Sequence, residues 1–109
     1  MDKQFLGEFE QMVLLAVLRL GEDAYAVPIR REIEEQAERR VSRGALYTTL
    51  ERLEAKGFLE SAMGQPAAER GGRSRRYYAV SEMGKQSLEN TRAAMANLWR
   101  GVAFTEEVR

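Results

Sequence analysis

The sequence predicts a mainly α-helical fold with one small β-hairpin, arranged as a winged helix-turn-helix followed by a C-terminal dimerisation helix. Three observations predict it. Apolar residues recur at helical spacing in three successive segments before Gly57. Two short segments rich in aromatic and β-branched residues then flank a loop carrying glycine, proline and arginine. A serine-capped segment with apolar groups seven apart closes the chain. The expected division is residues 1–80 as the winged helix-turn-helix and residues 81–109 as the dimerisation helix.

The first helix rests on Phe5, Phe9, Met12, Val13, Ala16, Val17 and Leu20, a stripe that ends before Gly21. Met12 to Leu18 is apolar nearly all round, which predicts a helix lying deep and touched on several sides. GEDAY, residues 21–25, reads as a turn. Pro28 suits an early helical position, where its missing N–H costs nothing, and opens a second helix from about Val27 to Glu38. Val27, Ile29, Ile33 and Ala37 are its apolar positions; Arg30, Arg31, Glu32, Glu34 and Glu35 form a solvated face of mixed sign.

Val41 to Leu59 is the stretch around which the rest is organised. Ser42 is an N-cap, and Gly57 sits where a left-handed C-cap is wanted, just after Lys56. Leu46, Leu50 and Leu53 put one apolar stripe against a core. Steps of about 100° place Gly44, Thr48 and Glu51 on the opposite face, with Arg43, Tyr47 and Arg52 on the flanks. Small, hydroxyl and basic groups of this kind suit a DNA groove, and they equally suit a surface helix with one aromatic at its edge. Glu51 either accepts from a cytosine amine or faces solvent.

Phe58 to Met63 and Arg76 to Val80 are the two strands, and residues 64–74 between them are a long loop. Over residues 64–76 the arginines Arg70, Arg73, Arg75 and Arg76 stand against the single acid Glu69, a local sum of 4 − 1 = +3 in a chain of net charge zero. Arginine interleaved with glycine directly after a recognition-type helix favours DNA contact over a merely solvated loop. Ser81 caps a final helix from Glu82 to about Arg100. Gly84, Leu88, Thr91, Met95, Leu98, Trp99 and Val102 form a broad stripe in which Leu88, Met95 and Val102 are seven apart, a spacing that suggests pairing with another helix. Phe5 and Phe9 could join that surface.

Composition narrows the function classes. The 109 residues are one domain's worth of chain, small enough that self-association would add useful stability. A pI of about 6.4 argues against a polycation that coats nucleic acid, although local charge placement sets the field a phosphate sees. Without cysteine or histidine, disulfides, thiol catalysis, Cys/His zinc sites and histidine acid–base chemistry drop out together, and no cofactor or metal is expected. Acidic residues precede the first apolar run, unlike a signal peptide, and that run is short for a membrane span of roughly 20 residues. The expected location is cytoplasmic.

Three segments in order carry a resemblance: LGEFEQMVLLAVLRLGEDAYAVPIRREIE at 6–34, VSRGALYTTLERLEAKGFLES at 41–61, and RGGRSRRYYAVSEMGKQSL at 70–88. Together they resemble the PadR family of bacterial transcriptional regulators over nearly the whole chain, in the branch with a single C-terminal helix. The resemblance implies a homodimer joined through the last helix and usually the first. Each dimer would place two recognition helices in successive major grooves of a pseudo-palindromic double-stranded operator, usually repressing transcription. On that basis Tyr47 corresponds to the family's tyrosine that contacts the DNA backbone. The expected DNA-binding set is Ser42, Arg43, Tyr47, Thr48, Arg52, Arg73, Arg75 and Arg76, with Arg73 at the wing tip and Arg75 and Arg76 near its base. The expected dimer interface is Phe5, Phe9, Leu88, Met95, Leu98, Trp99 and Val102. Some members bind flat aromatic or amphipathic compounds between subunits through a tryptophan on the last helix. Trp99 is the candidate for such a small-molecule effector, or it is simply an interface core residue.

The competing reading is a winged-helix protein–protein adaptor that binds no DNA. An enzyme is not expected: the only aspartates are Asp2 and Asp23, and neither a nucleophile–base arrangement nor a phosphate loop after a strand is present.

Overall fold

A computed structural model describes residues 5–64 and 74–104. Four helices and one hairpin follow in order: α1 (Glu8–Leu20), a 3₁₀ turn (Gly21–Asp23), α2 (Ala26–Ala37), α3 (Arg43–Ala55), β1 (Leu59–Met63), β2 (Arg76–Val80) and α4 (Glu82–Trp99). The strands pair antiparallel from Leu59 opposite Val80 to Met63 opposite Arg76. This is a winged helix.

Local chemistry explains the boundaries. The Ser42 hydroxyl accepts from the Ala45 N–H at 3.0 Å, and the Ser81 hydroxyl accepts from the Gly84 N–H at 3.0 Å. At the end of α3, Gly57 takes φ +83°, the Phe58 N–H reaches the Leu53 carbonyl at 2.9 Å, and the Gly57 N–H reaches that of Glu54 at 3.0 Å. This is a Schellman cap, closed by the buried pair Leu53 and Phe58. At the start of α1 the Glu10 carboxylate turns back to the Gly7 N–H at 2.9 Å and takes the Lys56 ammonium at 2.8 Å, tying α1 to the end of α3.

Val13, Leu14 and Val17 of α1, Ile29 and Ile33 of α2, and Leu46, Leu50 and Leu53 of α3 close on Phe58, Leu59, Tyr78 and Val80 of the hairpin. Each large side chain buried here contributes on the order of 1.5–3 kcal/mol. The Tyr78 N–H also donates to the Ala24 carbonyl at 2.8 Å, fastening β2 to the turn before α2.

One expectation, Val27 as a core position, is corrected, and the others are refined. Helix α2 starts at Ala26, with Tyr25 as its N-cap, and Glu38 ends it in the left-handed region at φ +52°. Val27 is exposed rather than in the core, since it lies about 200° round the helix from Ile29. Helix α1 is touched on several sides, by α2, α3, β2 and α4, and leaves one side open, where Leu15 and Leu18 are exposed beside α4. On α4 the core takes only the first half of the apolar stripe: Gly84 and Thr91 are buried and Leu88 is partly buried, whereas Met95, Leu98, Trp99 and Val102 are exposed. The molecule accordingly measures 64 × 35 × 22 Å, with a radius of gyration of 16.8 Å against the roughly 13 Å of a compact chain this long.

Candidate nucleic-acid interface

Helix α3 buries Leu46, Thr49, Leu50 and Leu53 and turns Gly44, Thr48 and Glu51 outward. One flank of that face continues into an open groove of about 880 Å³ between α3, the start of α2 and the base of the wing. Tyr47, Glu51 and Glu54 of α3 form one wall, spaced i, i+4, i+7. Tyr25, Ala26 and Val27 form the second, and Ser74, Arg75, Arg76 and Tyr78 the third. Burial raises the Tyr78 phenol above its ordinary value against the opposing Arg76 charge, so it stays protonated at neutral pH.

The wing base is held by specific contacts. The Arg75 guanidinium lies 4.2 Å from the centre of the Tyr25 ring, and Tyr25 meets Tyr77 edge-on at 5.5 Å. Arg76 donates to the Ser61 hydroxyl at 2.9 Å, and that hydroxyl donates to the Glu54 carboxylate at 2.7 Å. Both arginines are therefore already partnered at the base. Arg73 lies outside the described residues.

Other cations sort by whether they have partners. Arg19 pairs with Glu32, Arg30 with Glu34, Arg39 with Glu8, Lys85 with Glu82 and Arg92 with Glu89. Among the described residues, the side chains of Arg31, Arg40, Arg43 and Arg52 make neither an ion pair nor a hydrogen bond. Arg40 and Arg43 flank Val41 and Ser42 at the positive end of α3, where N–H groups and the helix dipole favour an anion. Ser42 has spent a lone pair on its cap and keeps its O–H to donate. Arg52 stands on the other flank of α3 from the wing, close enough to lower the Glu10 pKa, at the edge of the face rather than in the groove.

The expected residues thus fall in three places. Ser42 and Arg43 stand at the N-terminus of α3, Tyr47 and Thr48 on its outward face and groove flank, and Arg75 and Arg76 at the wing base. Tyr25, Val27, Arg40 and Glu54 belong to the same surface and were not singled out from sequence. Arg40 beside an N-cap was readable in principle; the contact between Tyr25 and Arg75 spans fifty residues and left no local signal.

The other expected set gathers on α1 and α4. Leu15 and Leu18 of α1 and Leu88 and Met95 of α4 line an apolar groove of about 400 Å³ rimmed by Gln11, Lys85, Glu89 and Arg92. Leu98 and Trp99 continue beyond it, with Trp99 edge-on to Phe104 at 5.8 Å. Phe5 is exposed, and Phe9 packs partly on the core while carrying the Arg39 guanidinium 5.5 Å from its ring centre.

The family model of the transcriptional regulator PadR-like family matches residues 14–90, well over half of the chain. A PadR-like transcription factor from Bacteroides fragilis is similar in structure, with a TM-score of 0.70 and 27% identity over 84% of each chain. A PadR family regulator from Eggerthella lenta matches at TM-score 0.70 and 24% identity, over 94% of this chain and 88% of its own. One from Clostridium difficile matches at TM-score 0.70 and 23% identity, over 84% of this chain and 92% of its own. No curated protein matches significantly.

Proposed function

Because the chain belongs to the PadR-like family of transcriptional regulators, we propose that it is a homodimeric, sequence-specific repressor that reads a pseudo-palindromic operator in double-stranded DNA. The observation that carries this is the outward face of α3, with the unpartnered Arg40 and Arg43 at its N-terminus and the wing base beside it. An α-helix fits the major groove, N-terminal cations and a wing grip the flanking phosphates, and the face between them meets base edges. Ser42, Tyr47 and Thr48 make the central contacts; Arg43, Arg52, Arg73, Arg75 and Arg76 hold the backbone at the sides. Residues 1–80 are the DNA-binding unit and residues 81–109 the dimerisation helix. The protein works in the cytoplasm and performs no catalysis.

Pairing of two α4 helices would cover Leu88, Met95, Leu98, Trp99 and Val102, with Phe5 and Phe9 at the edge, and would set the distance between recognition helices. A flat aromatic or amphipathic compound at Trp99 would release the operator by favouring a spacing that no longer matches the half-sites.

A mobility-shift titration against DNA flanking its own gene, at two salt concentrations, tests the reading. The expected result is a specific, salt-sensitive complex with two subunits per site. Binding no better than to unrelated DNA would favour the protein–protein adaptor instead.

A further inference from the structure

Helix α3 carries two carboxylates, and they are treated differently. Glu54 accepts from Ser61, which in turn takes Arg76, so its charge is tied into the wing base. Glu51 makes no hydrogen bond or ion pair among the described residues. Its neighbours one turn away are Tyr47, Thr48, Glu54 and Ala55, none of them cationic and one of like charge. It is far from the first turn, where an acid would suit the helix dipole. Neither the helix nor the core gains from it.

Its position is the opposite of neutral. Glu51 points away from the buried Leu46, Leu50 and Leu53, one turn beyond Tyr47 and Thr48, in the middle of the surface that the DNA-binding reading lays in the major groove. A bare carboxylate there repels every phosphate and weakens binding to any DNA. It also faces a groove in which cytosine offers its N4 amine as a donor, while thymine and guanine offer only acceptors. Adenine offers one donor beside the N7 acceptor, which would meet the second carboxylate oxygen.

We propose that Glu51 is a specificity-determining residue that accepts a hydrogen bond from the N4 amine of one cytosine in each half-site and excludes thymine and guanine by acceptor–acceptor repulsion. This rests on the DNA-binding reading. Arg40 and Arg43 on one side and the wing on the other hold the backbone, which fixes the depth at which Glu51 meets the base edge.

The test is selection from a randomised double-stranded DNA pool by the full chain and by its E51A and E51Q variants, followed by titration of the enriched sites. The wild type is expected to enrich one C·G pair per half-site and to discriminate there by about tenfold or more. E51A should become indifferent at that pair alone while binding unrelated DNA more tightly, and E51Q should shift the preference toward adenine, which glutamine can engage at both N6 and N7. The proposal is overturned if E51A enriches the same sequence with every base preference intact and only a uniform gain in affinity. A wild type that enriches nothing overturns the DNA-binding reading itself, and this inference with it. Unchanged helical circular dichroism confirms that each variant is folded.

Discussion

A methyl group at position 84 would disturb the join between wing and last helix. A Cβ there would lie 2.3 Å from the Phe58 carbonyl oxygen and 2.8 Å from Val80 Cγ1, and the first of these is backbone that cannot swing aside. Gly84→Ala is therefore expected to destabilise the fold by about 1–3 kcal/mol, read as a lower urea midpoint. Gly44 is the control, since nothing lies within 4 Å of its Cβ position. Gly44→Ala should hold stability or raise it by up to about 1 kcal/mol, through helix propensity, and should weaken DNA binding because the added methyl stands on the outward face. At Glu10, burial raises the carboxyl, but Lys56, the Gly7 N–H and Arg52 outweigh it and hold the pKa below its ordinary 4.5. A depressed pKa means stability that is fully present above that ordinary value and is lost as pH falls through the lower folded one. Glu10→Gln should cost roughly 1–2 kcal/mol at pH 7, and its gap from the wild type should narrow in acid; equal midpoints at pH 7 would contradict this.

Between elements, the wing is docked by one aromatic. Tyr25 stands at the N-cap position of α2, receives Arg75 on its ring face and Tyr77 at its edge, and sits beside the Ala24 carbonyl that holds β2. Tyr25→Ala should lower stability by about 1–2 kcal/mol, speed hydrogen exchange at the Tyr78 amide and weaken DNA binding, whereas Tyr25→Phe keeps the ring and should do little. A Tyr78 amide as protected in Tyr25→Ala as in the wild type would mean that β2 is held by backbone alone. These contacts also mark what the sequence can and cannot disclose. The Ser42 and Ser81 caps, the Gly57 terminus and both strands were legible because each signal acts within a few residues of the structure it makes. The exposure of Val27, Leu15 and Leu18 was not. An apolar residue facing a groove or a second subunit has the same composition as one facing the core, and periodicity ranks faces without saying what covers them. On α3 the outward set was legible from the wheel; the partnering of Arg75 and Arg76 was not, since it depends on residues brought near only by the fold.

For the whole molecule, the decisive feature is that α4 outruns its own domain. Thr91 is the last buried residue on it and is tied to the chain's start by the Leu6 N–H at 3.0 Å. Beyond it Met95 is 49% exposed and Leu98 72%, beside the apolar groove formed with Leu15, Leu18 and Leu88. A single subunit therefore loses little when Met95 becomes charged, but a dimer joined through this face loses its seam. Met95→Glu should leave helical circular dichroism and the urea midpoint of the isolated subunit unchanged while halving the mass seen by sedimentation. Two linked half-sites bind more tightly than one by roughly 10²–10⁴, so operator affinity should fall by a factor in that range while the base preferences of each half-site survive. A variant that stays dimeric would move the interface elsewhere. If instead its helical signal collapsed, Met95 would belong to the subunit's own core, which its exposure argues against.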